Sequence, residues 1–193
     1  MKHKQQIGVF GGSFDPIHIG HLALANYICE YEKLDELWFM LTPQNPLKKK
    51  EAGASESQRM ELIRLAIQEY PQFKASDFEL QLNPPYYTAH TLKELRNAYP
   101  EKEFILIIGA DNWNQFNHWR NPEEILANHK TLIYPRPQHP VDESKLPESV
   151  KLMNSPLLEI SSTMIREAFN QGKELPYFLH PEVYRVIKRK TIY

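Results

Sequence analysis

A single stretch near the start of the chain constrains the fold more than any other feature. An apolar run, Ile7–Phe10, is followed by Gly11 and Gly12 and then by the turn residues Ser13–Pro16. An amphipathic run begins a few residues later. This order is typical of a buried strand, a glycine-rich turn and a helix N-terminus.

The turn and the helix start favour the binding of phosphate. Gly11 and Gly12 have no Cβ and tolerate positive φ, so backbone N–H groups there can approach a ligand closely. The helix directs unpaired N–H groups and the positive end of its dipole towards an anion. His18 and His21 are one helical turn apart, so we expect their side chains about 5–6 Å apart on one face. Two imidazoles can donate hydrogen bonds to phosphoryl oxygens, which suits phosphoryl or nucleotidyl transfer.

Two other interpretations of His18 and His21 are open. An isolated His-x-x-His pair is usually no more than two polar residues at a helix start, but the surrounding glycines and proline favour the phosphate role. A zinc site would need a third ligand, and no cysteine or carboxylate stands at a recognisable metal spacing. We therefore predict no metal site built by the protein itself.

Strand-like and helix-like segments alternate along the chain. The expected strands are Ile7–Phe10, Leu37–Leu41, Phe73–Leu80, Phe104–Ile108, Thr131–Tyr134 and Leu157–Ile160. The expected helices start near His18, after a capping box at Ser55–Gln58, at a Thr88 cap, at Asn121, at Ser161 or Ser162, and at Pro181. The alternation predicts an α/β fold, with a parallel sheet and helices on both faces. Ligands of such sheets bind beyond the carboxyl ends of the strands.

Composition narrows the functional classes. The 193 residues fit a single domain over residues 1–193, with 41% apolar and 24% charged residues. A net charge of −1 gives no bulk electrostatic case for a nucleic acid or an anionic membrane. Cys29 is the only cysteine, which fits a reducing compartment, and no signal peptide or membrane-spanning run is evident. These features predict a cytoplasmic protein.

Two widely separated motifs resemble those of a known superfamily. Gly11–Pro16 with His18–His21 is similar to the GG(S/T)FDP-x-H-x-GH signature of the nucleotidyltransferases. Ile160–Arg166 resembles the ISSTxIR element that pairs with it. The resemblance covers essentially the whole chain and is strongest to the bacterial nicotinate-nucleotide adenylyltransferases. It implies their Rossmann-like nucleotidyltransferase fold.

The resemblance also implies an ATP site near the two motifs. Its candidate residues are Gly11, Gly12, Ser13, Phe14, His18, His21, Gly109, Asp111, Arg136, Ile160, Ser161, Ser162, Thr163 and Arg166. His18, His21 and Arg166 are the candidate catalytic residues. Hydroxyls and free N–H groups at a second helix N-terminus suit phosphate, although a plain serine cap with a surface arginine is the alternative. The resemblance places Asp111 near ribose hydroxyls; a helix N-cap is the other role, and the two are compatible.

The family's candidates for the acceptor nucleotide are Lys48, Tyr87, Thr88, Phe116 and Trp119. A flat pyridine ring needs a stacking partner, and its carboxylate needs donors such as backbone N–H groups. Core packing is the alternative for both Phe116 and Trp119. Relatives often carry tyrosine in place of Phe116 and histidine in place of Leu47, the residue before Lys48.

The motifs and the resemblance together predict an ATP-dependent adenylyltransferase. AMP would pass from ATP to nicotinate mononucleotide, giving deamido-NAD and pyrophosphate, with Mg²⁺ held largely by ATP and water. Other acceptors, such as nicotinamide mononucleotide, phosphopantetheine or a phosphocholine-type compound, are alternatives within the enzyme class. A nucleotide-binding regulatory module is the non-enzyme alternative, and the near-neutral charge disfavours an RNA-binding protein. Homo-oligomerisation is left open.

Overall fold

A computed structural model describes residues 4–43 and 53–193. Its strands are β1 (Gln5–Gly12), β2 (Glu36–Leu41), β3 (Phe73–Ser76), β4 (Lys102–Gly109), β5 (Thr131–Tyr134) and β6 (Val150–Leu152). They form one parallel sheet in the order β3-β2-β1-β4-β5-β6. The predicted α/β fold with a parallel sheet is confirmed.

Helices cover both faces of this sheet, as predicted. They are α1 (Ile19–Glu32), α2 (Glu56–Ile67), α3 (Thr88–Ala98), α4 (Ala110–Trp113), α5 (Pro122–Asn128), α6 (Ser162–Asn170) and α7 (Pro181–Lys190). Buried residues of α1, α2, α6 and α7 form one core with the sheet, and those of α3 and α5 form the other. None of the helices in residues 4–43 and 53–193 is long and apolar enough to cross a membrane.

The central strands contact both cores, which explains their continuous apolar sequence. In β4, Ile105 and Ile107 face the first core, whereas Phe104, Leu106 and Ile108 face the second. Close packing leaves no room for a side chain at Gly8 of β1, where a Cβ would lie 2.6 Å from Leu34 Cδ1.

The strand order reverses between β1 and β4. Chain segments leave these two neighbouring strands in opposite directions across the sheet, so a crevice opens at their carboxyl ends, Gly12 and Gly109. The motif residues that follow β1, β4 and β5 are brought to this edge.

Two predicted strands are wrong in part or in full. The expected strand Phe73–Leu80 ends at Ser76, and Phe78–Gln81 forms a 3₁₀ turn instead. Residues 157–160, all of them described, form no strand. Leu157, Leu158 and Ile160 line a cavity, although Ile160 also packs against the first core, and Leu157 is 56% exposed. The sixth strand is instead β6, which the sequence did not predict.

The predicted helix caps are mostly confirmed. Ser55 and Gln58 form the capping box of α2, and the Ser161 hydroxyl accepts a hydrogen bond from the Met164 N–H at the start of α6. Thr88 is not the cap of α3, because the helix already begins at Thr88 and Tyr87 is its N-cap residue.

Candidate active site

The turn after β1 differs from the expectation for a glycine-rich loop. Gly11 and Gly12 are the extended end of β1, and among the described glycines only Gly172 has a positive φ. The left-handed position is taken by Phe14, at φ +45°. A Cβ on Gly12 would lie only 3.0 Å from the buried ring of Phe14. Gly12 therefore makes room for Phe14 and does not supply the turn.

The two motif histidines are closer together than predicted. His18 is the N-cap residue of α1, with φ −142°, and so lies just outside the helix. Its ring is stacked on that of His21, with 3.6 Å between centroids and 24° between planes. The His18 backbone N–H donates to His21 Nδ1 over 3.3 Å. A neutral His21 therefore carries its proton on Nε2, where it can be donated to a ligand.

Burial disfavours the charged form of both imidazoles. Burial, with a smaller contribution from the Arg136 guanidinium, lowers the pKa of His18 to about 4. Burial also sets the pKa of His21 well below its usual range, and His18 and Arg136 lower it further. The site can thus donate hydrogen bonds, and the arrival of an anion would favour proton uptake.

The second motif is bonded directly to the first. The Ser162 hydroxyl donates to the Pro16 carbonyl over 2.9 Å, and Arg166 Nη1 donates to the Asp15 carbonyl over 2.7 Å. Gly20 permits this approach, because a Cβ there would lie 3.1 Å from the His18 ring and 3.4 Å from Ile160. The N-termini of α1 and α6 are therefore held side by side, as the pairing of the motifs implied.

A cleft, here called the histidine cavity, opens beside the paired helix starts. It is lined by Phe10, His18, Gly20, His21 and Leu24, by residues 134–137 after β5, and by Pro156, Leu157, Leu158 and Ile160. Polar groups cluster at the histidine end, and leucine and proline side chains supply apolar walls. This combination suits a ligand with a charged part and a flat apolar part.

Asp111 and Arg136 meet at the edge of the histidine cavity. Arg136 Nε lies 3.7 Å from Asp111 Oδ1, and the guanidinium carbon is 5.1 Å from the centre of the Tyr134 ring. The N-cap of α4 is Gly109, so the alternative role of Asp111 as a helix cap is wrong. A Cβ on Gly109 would collide with the Asp111 carboxylate.

A second pocket, here called the aromatic cavity, lies at the start of α3 and has a volume of about 870 Å³. Tyr87, Thr88 and Trp119 line it, as do Gly11 and Tyr134. At Gly11 a Cβ would make only an ordinary contact, 3.7 Å from Thr42 Cγ2.

Phe116 lies behind the wall of the aromatic cavity. Its side chain is 1% exposed and packs between two tryptophans. The distance between ring centroids is 4.9 Å to Trp113 and 5.2 Å to Trp119. The core-packing alternative describes this side chain in the structure, where its buried ring supports the half-buried Trp119, and its predicted contact with an acceptor stays a prediction. Lys48 and Leu47 lie outside the described residues.

The two cavities meet at the end of the sheet. Phe10 and Gly11 are consecutive in β1 and point in opposite directions, so Phe10 lines the histidine cavity and Gly11 the aromatic cavity. Tyr134 lines both. Two ligands, one bound in each cavity, would therefore lie next to each other at the carboxyl ends of β1 and β5.

Sequence reasoning missed the contacts that anchor the first motif. The Asp15 carboxylate accepts hydrogen bonds from the Tyr193 hydroxyl, at 2.6 Å, and the Ala54 N–H, at 3.0 Å. The buried Arg59 donates from Nη1 to the Ser13 carbonyl over 2.6 Å. These partners are far apart in sequence, and no local pattern signals them.

The cytidylyltransferase-like family model matches residues 9–168. Together with the parallel sheet and the two paired helix starts, this match defines a nucleotidyltransferase. The chain is 53% identical over 186 residues to the probable nicotinate-nucleotide adenylyltransferase of Bacteroides thetaiotaomicron, covering 96% of this chain and 92% of the relative. The corresponding protein of Bacteroides fragilis is 54% identical over 188 residues, covering 97% and 94%. The chain belongs to the nicotinate-nucleotide adenylyltransferase family.

The fold is also that of a solved structure from the same enzyme group. Plasmodium falciparum nicotinic acid mononucleotide adenylyltransferase, complexed with NaAD, aligns with a TM-score of 0.79 at 22% identity. The alignment covers 97% of this chain and 96% of that one.

Proposed function

We propose that this protein transfers AMP from ATP to nicotinate mononucleotide and releases deamido-NAD and pyrophosphate. The observation that carries the proposal is the junction of two cavities at the carboxyl ends of β1 and β5, one beside paired histidines and one beside an aromatic wall. Membership of the nicotinate-nucleotide adenylyltransferase family supports the same reaction.

The histidine cavity takes ATP in this proposal. The free N–H groups at the starts of α1 and α6 and the imidazole N–H groups of His18 and His21 bind the phosphates. Arg166 stabilises charge that develops as pyrophosphate leaves. Gly12, Ser13, Phe14, Asp111, Arg136 and residues 160–163 complete the proposed ATP site. Gly11 and Gly109 line the aromatic cavity and are proposed to contact ATP where the two ligands meet.

The aromatic cavity takes nicotinate mononucleotide. The Trp119 ring offers a stacking surface for pyridine, and the N–H groups at the start of α3, near Tyr87 and Thr88, suit its carboxylate. The acceptor phosphate then attacks the α-phosphorus of ATP in line, forming one P–O bond as the bond to pyrophosphate breaks. Positioning and charge stabilisation account for catalysis, without a covalent enzyme intermediate.

Mg²⁺ enters with ATP in this proposal. Within residues 4–43 and 53–193, no three histidine, cysteine, aspartate or glutamate side chains are grouped to hold a metal ion. The phosphate oxygens of ATP and water would supply most of its ligands, and the ion would neutralise phosphate charge. A cytoplasmic location, small-molecule partners only and Mg²⁺ dependence are parts of the proposal.

Pyrophosphate release tests the proposed function. The purified protein is mixed with ATP and Mg²⁺ and, in parallel, with nicotinate mononucleotide, nicotinamide mononucleotide or phosphopantetheine. We expect strong preference for the nicotinate compound. Preference for another acceptor would refute the proposed substrate, and ATP binding without turnover on any of them would favour a regulatory module.

A further inference from the structure

A buried carboxyl group lines the aromatic cavity without a counter-charge. Glu79 lies in the 3₁₀ turn Phe78–Gln81 and is 6% exposed. Among the described residues, no lysine, arginine or histidine perturbs it by charge. Burial raises the pKa of Glu79, and a hydrogen bond from Thr91 offsets part of that rise. Burying a carboxyl group without a counter-charge costs folding free energy even where one hydrogen bond is made to it, so packing alone does not explain this residue.

Thr91 connects Glu79 to the first turn of α3. Thr91 is itself buried and lines the same cavity. Its hydroxyl donates to Glu79 Oε1 over 2.7 Å and lies 3.3 Å from the Tyr87 carbonyl, to which the Thr91 N–H also donates over 3.0 Å. The single hydroxyl proton serves chiefly the shorter bond. Glu79 is thereby tied to the turn that presents Tyr87 and Thr88 to the cavity.

The described fold leaves part of the hydrogen-bonding capacity around this pair unused. No residue in the described part of the chain bonds to Glu79 Oε2, although the side chain lines the cavity. The N–H groups of Thr88 and Ala89, at the start of α3, have no acceptor within the helix. Fixing this turn fixes the direction of those donors.

We propose that Glu79 and Thr91 are positioning residues for the acceptor nucleotide. Together they hold the first turn of α3 against the aromatic cavity and so set the affinity for the pyridine end of the acceptor. The inference rests on the proposed function, because it takes nicotinate mononucleotide as the ligand of that cavity.

Glu79→Met tests the pair most directly. Methionine has a similar length and no carboxyl, and the Thr91 hydroxyl can still donate to the Tyr87 carbonyl, so no buried donor is left unpaired. We expect KM for nicotinate mononucleotide to rise about tenfold, the equivalent of one lost positioning hydrogen bond. KM for ATP and kcat should change less than about twofold, and the urea midpoint should be unchanged or higher.

Thr91→Val provides the second variant. It removes the hydroxyl and leaves Glu79 Oε1 without its donor, so we expect a similar rise in KM for the acceptor and a lower urea midpoint. Glu79→Gln and Thr91→Ser keep the bond and serve as matched controls, with KM values within about twofold of the wild type.

Two results would overturn the inference. One is an unchanged KM for nicotinate mononucleotide in Glu79→Met and Thr91→Val. The other is an equal rise in KM for both substrates, which would reduce the pair to a structural role. Wild-type protein assayed alongside separates the proposals: no turnover with nicotinate mononucleotide in the wild type overturns both, whereas wild-type turnover with insensitive variants overturns this inference alone.

Discussion

The ring of His18 is stacked on the ring of His21, and the backbone N–H of His18 fixes the tautomer of its neighbour. The pair forms one unit at the start of α1, with His18 just before the helix and His21 in its first turn. Each ring can direct an N–H group at phosphate without carrying a charge of its own.

Removing either imidazole should slow catalysis more than it weakens binding. We expect His18→Ala and His21→Ala to lower kcat by about 10²- to 10³-fold, because preorganised donors stabilise the transition state most. KM values should change only a few-fold in steady-state pyrophosphate assays. His180→Ala is the control, since His180 caps α7, which packs against α2. Unchanged kcat in both motif variants would contradict the role.

The folded protein should lose stability in mild acid. The pKa of His18 is about 4 in the folded state and ordinarily 6.5, so the unfolded chain binds more protons between these pH values. The free energy of unfolding therefore falls as the pH drops from 6.5 to about 4, by about 3 kcal/mol for a shift of this size. Burial lowers the pKa of His129 and of His21 too, which adds to the effect with the same sign.

Urea unfolding at pH 7.5 and pH 5 measures this dependence. His18→Asn removes one titrating group, so the difference in unfolding free energy between the two pH values should shrink without vanishing. The same pH dependence in His18→Asn and wild type would show that His18 titrates normally in the folded protein.

Substitutions of the neighbouring residues Trp119 and Phe116 should affect different properties, substrate affinity in one case and stability in the other. Trp119→Ala removes the cavity wall, so we expect a several-fold rise in KM for nicotinate mononucleotide with KM for ATP unchanged. Phe116→Ala empties a buried site and should lower the free energy of unfolding by about 3–5 kcal/mol. Kinetics and urea titrations of both variants separate the roles. If a folded Phe116→Ala protein showed a larger rise in KM for nicotinate mononucleotide than Trp119→Ala, the two assigned roles would be wrong.

The bond from Tyr193 to Asp15 should support the first motif from a distance. Tyr193→Phe removes the hydroxyl that donates to the Asp15 carboxylate, which should cost about 1.5 kcal/mol of unfolding free energy. Because Arg166 donates to the Asp15 carbonyl, we also expect a modest fall in kcat. Tyr177→Phe is the matched control, since Tyr177 is 91% exposed. Identical urea midpoints and kcat values for the two variants would remove this role.

The sequence correctly predicts those features of the fold that residues close together in the chain determine. The apolar run of β4, the capping box of α2 and the serine cap of α6 follow from neighbouring residues, and the structure has all three. The pairing of the two motifs came from their resemblance to a family. The hydrogen bonds from Ser162 and Arg166 give that pairing a physical form.

Long-range contacts account for the errors and omissions. β6 is three residues long and is a strand because it pairs with β5, which no sequence window reveals. The sequence predicts a strand at Leu157 and Leu158 because apolar residues suggest a core, although in the structure they line a cavity. Phe116 was proposed for the acceptor site from the family resemblance, and its burial between Trp113 and Trp119 had no signal in the sequence. Glu79 and Thr91 meet only through the fold, so their pairing had no signal.

Gly8 and Gly11 lie in one strand and differ in what a methyl group would meet. At Gly8 it would collide with Leu34, whereas at Gly11 it would find ordinary space at the mouth of the aromatic cavity. In a library of all single variants grown in cells, alanine at Gly8 should deplete the protein itself. Alanine at Gly11 should leave a normal amount of a protein whose aromatic cavity carries one more methyl group in its lining. Protein abundance would therefore report on the substitution at Gly8, and growth on the substitution at Gly11.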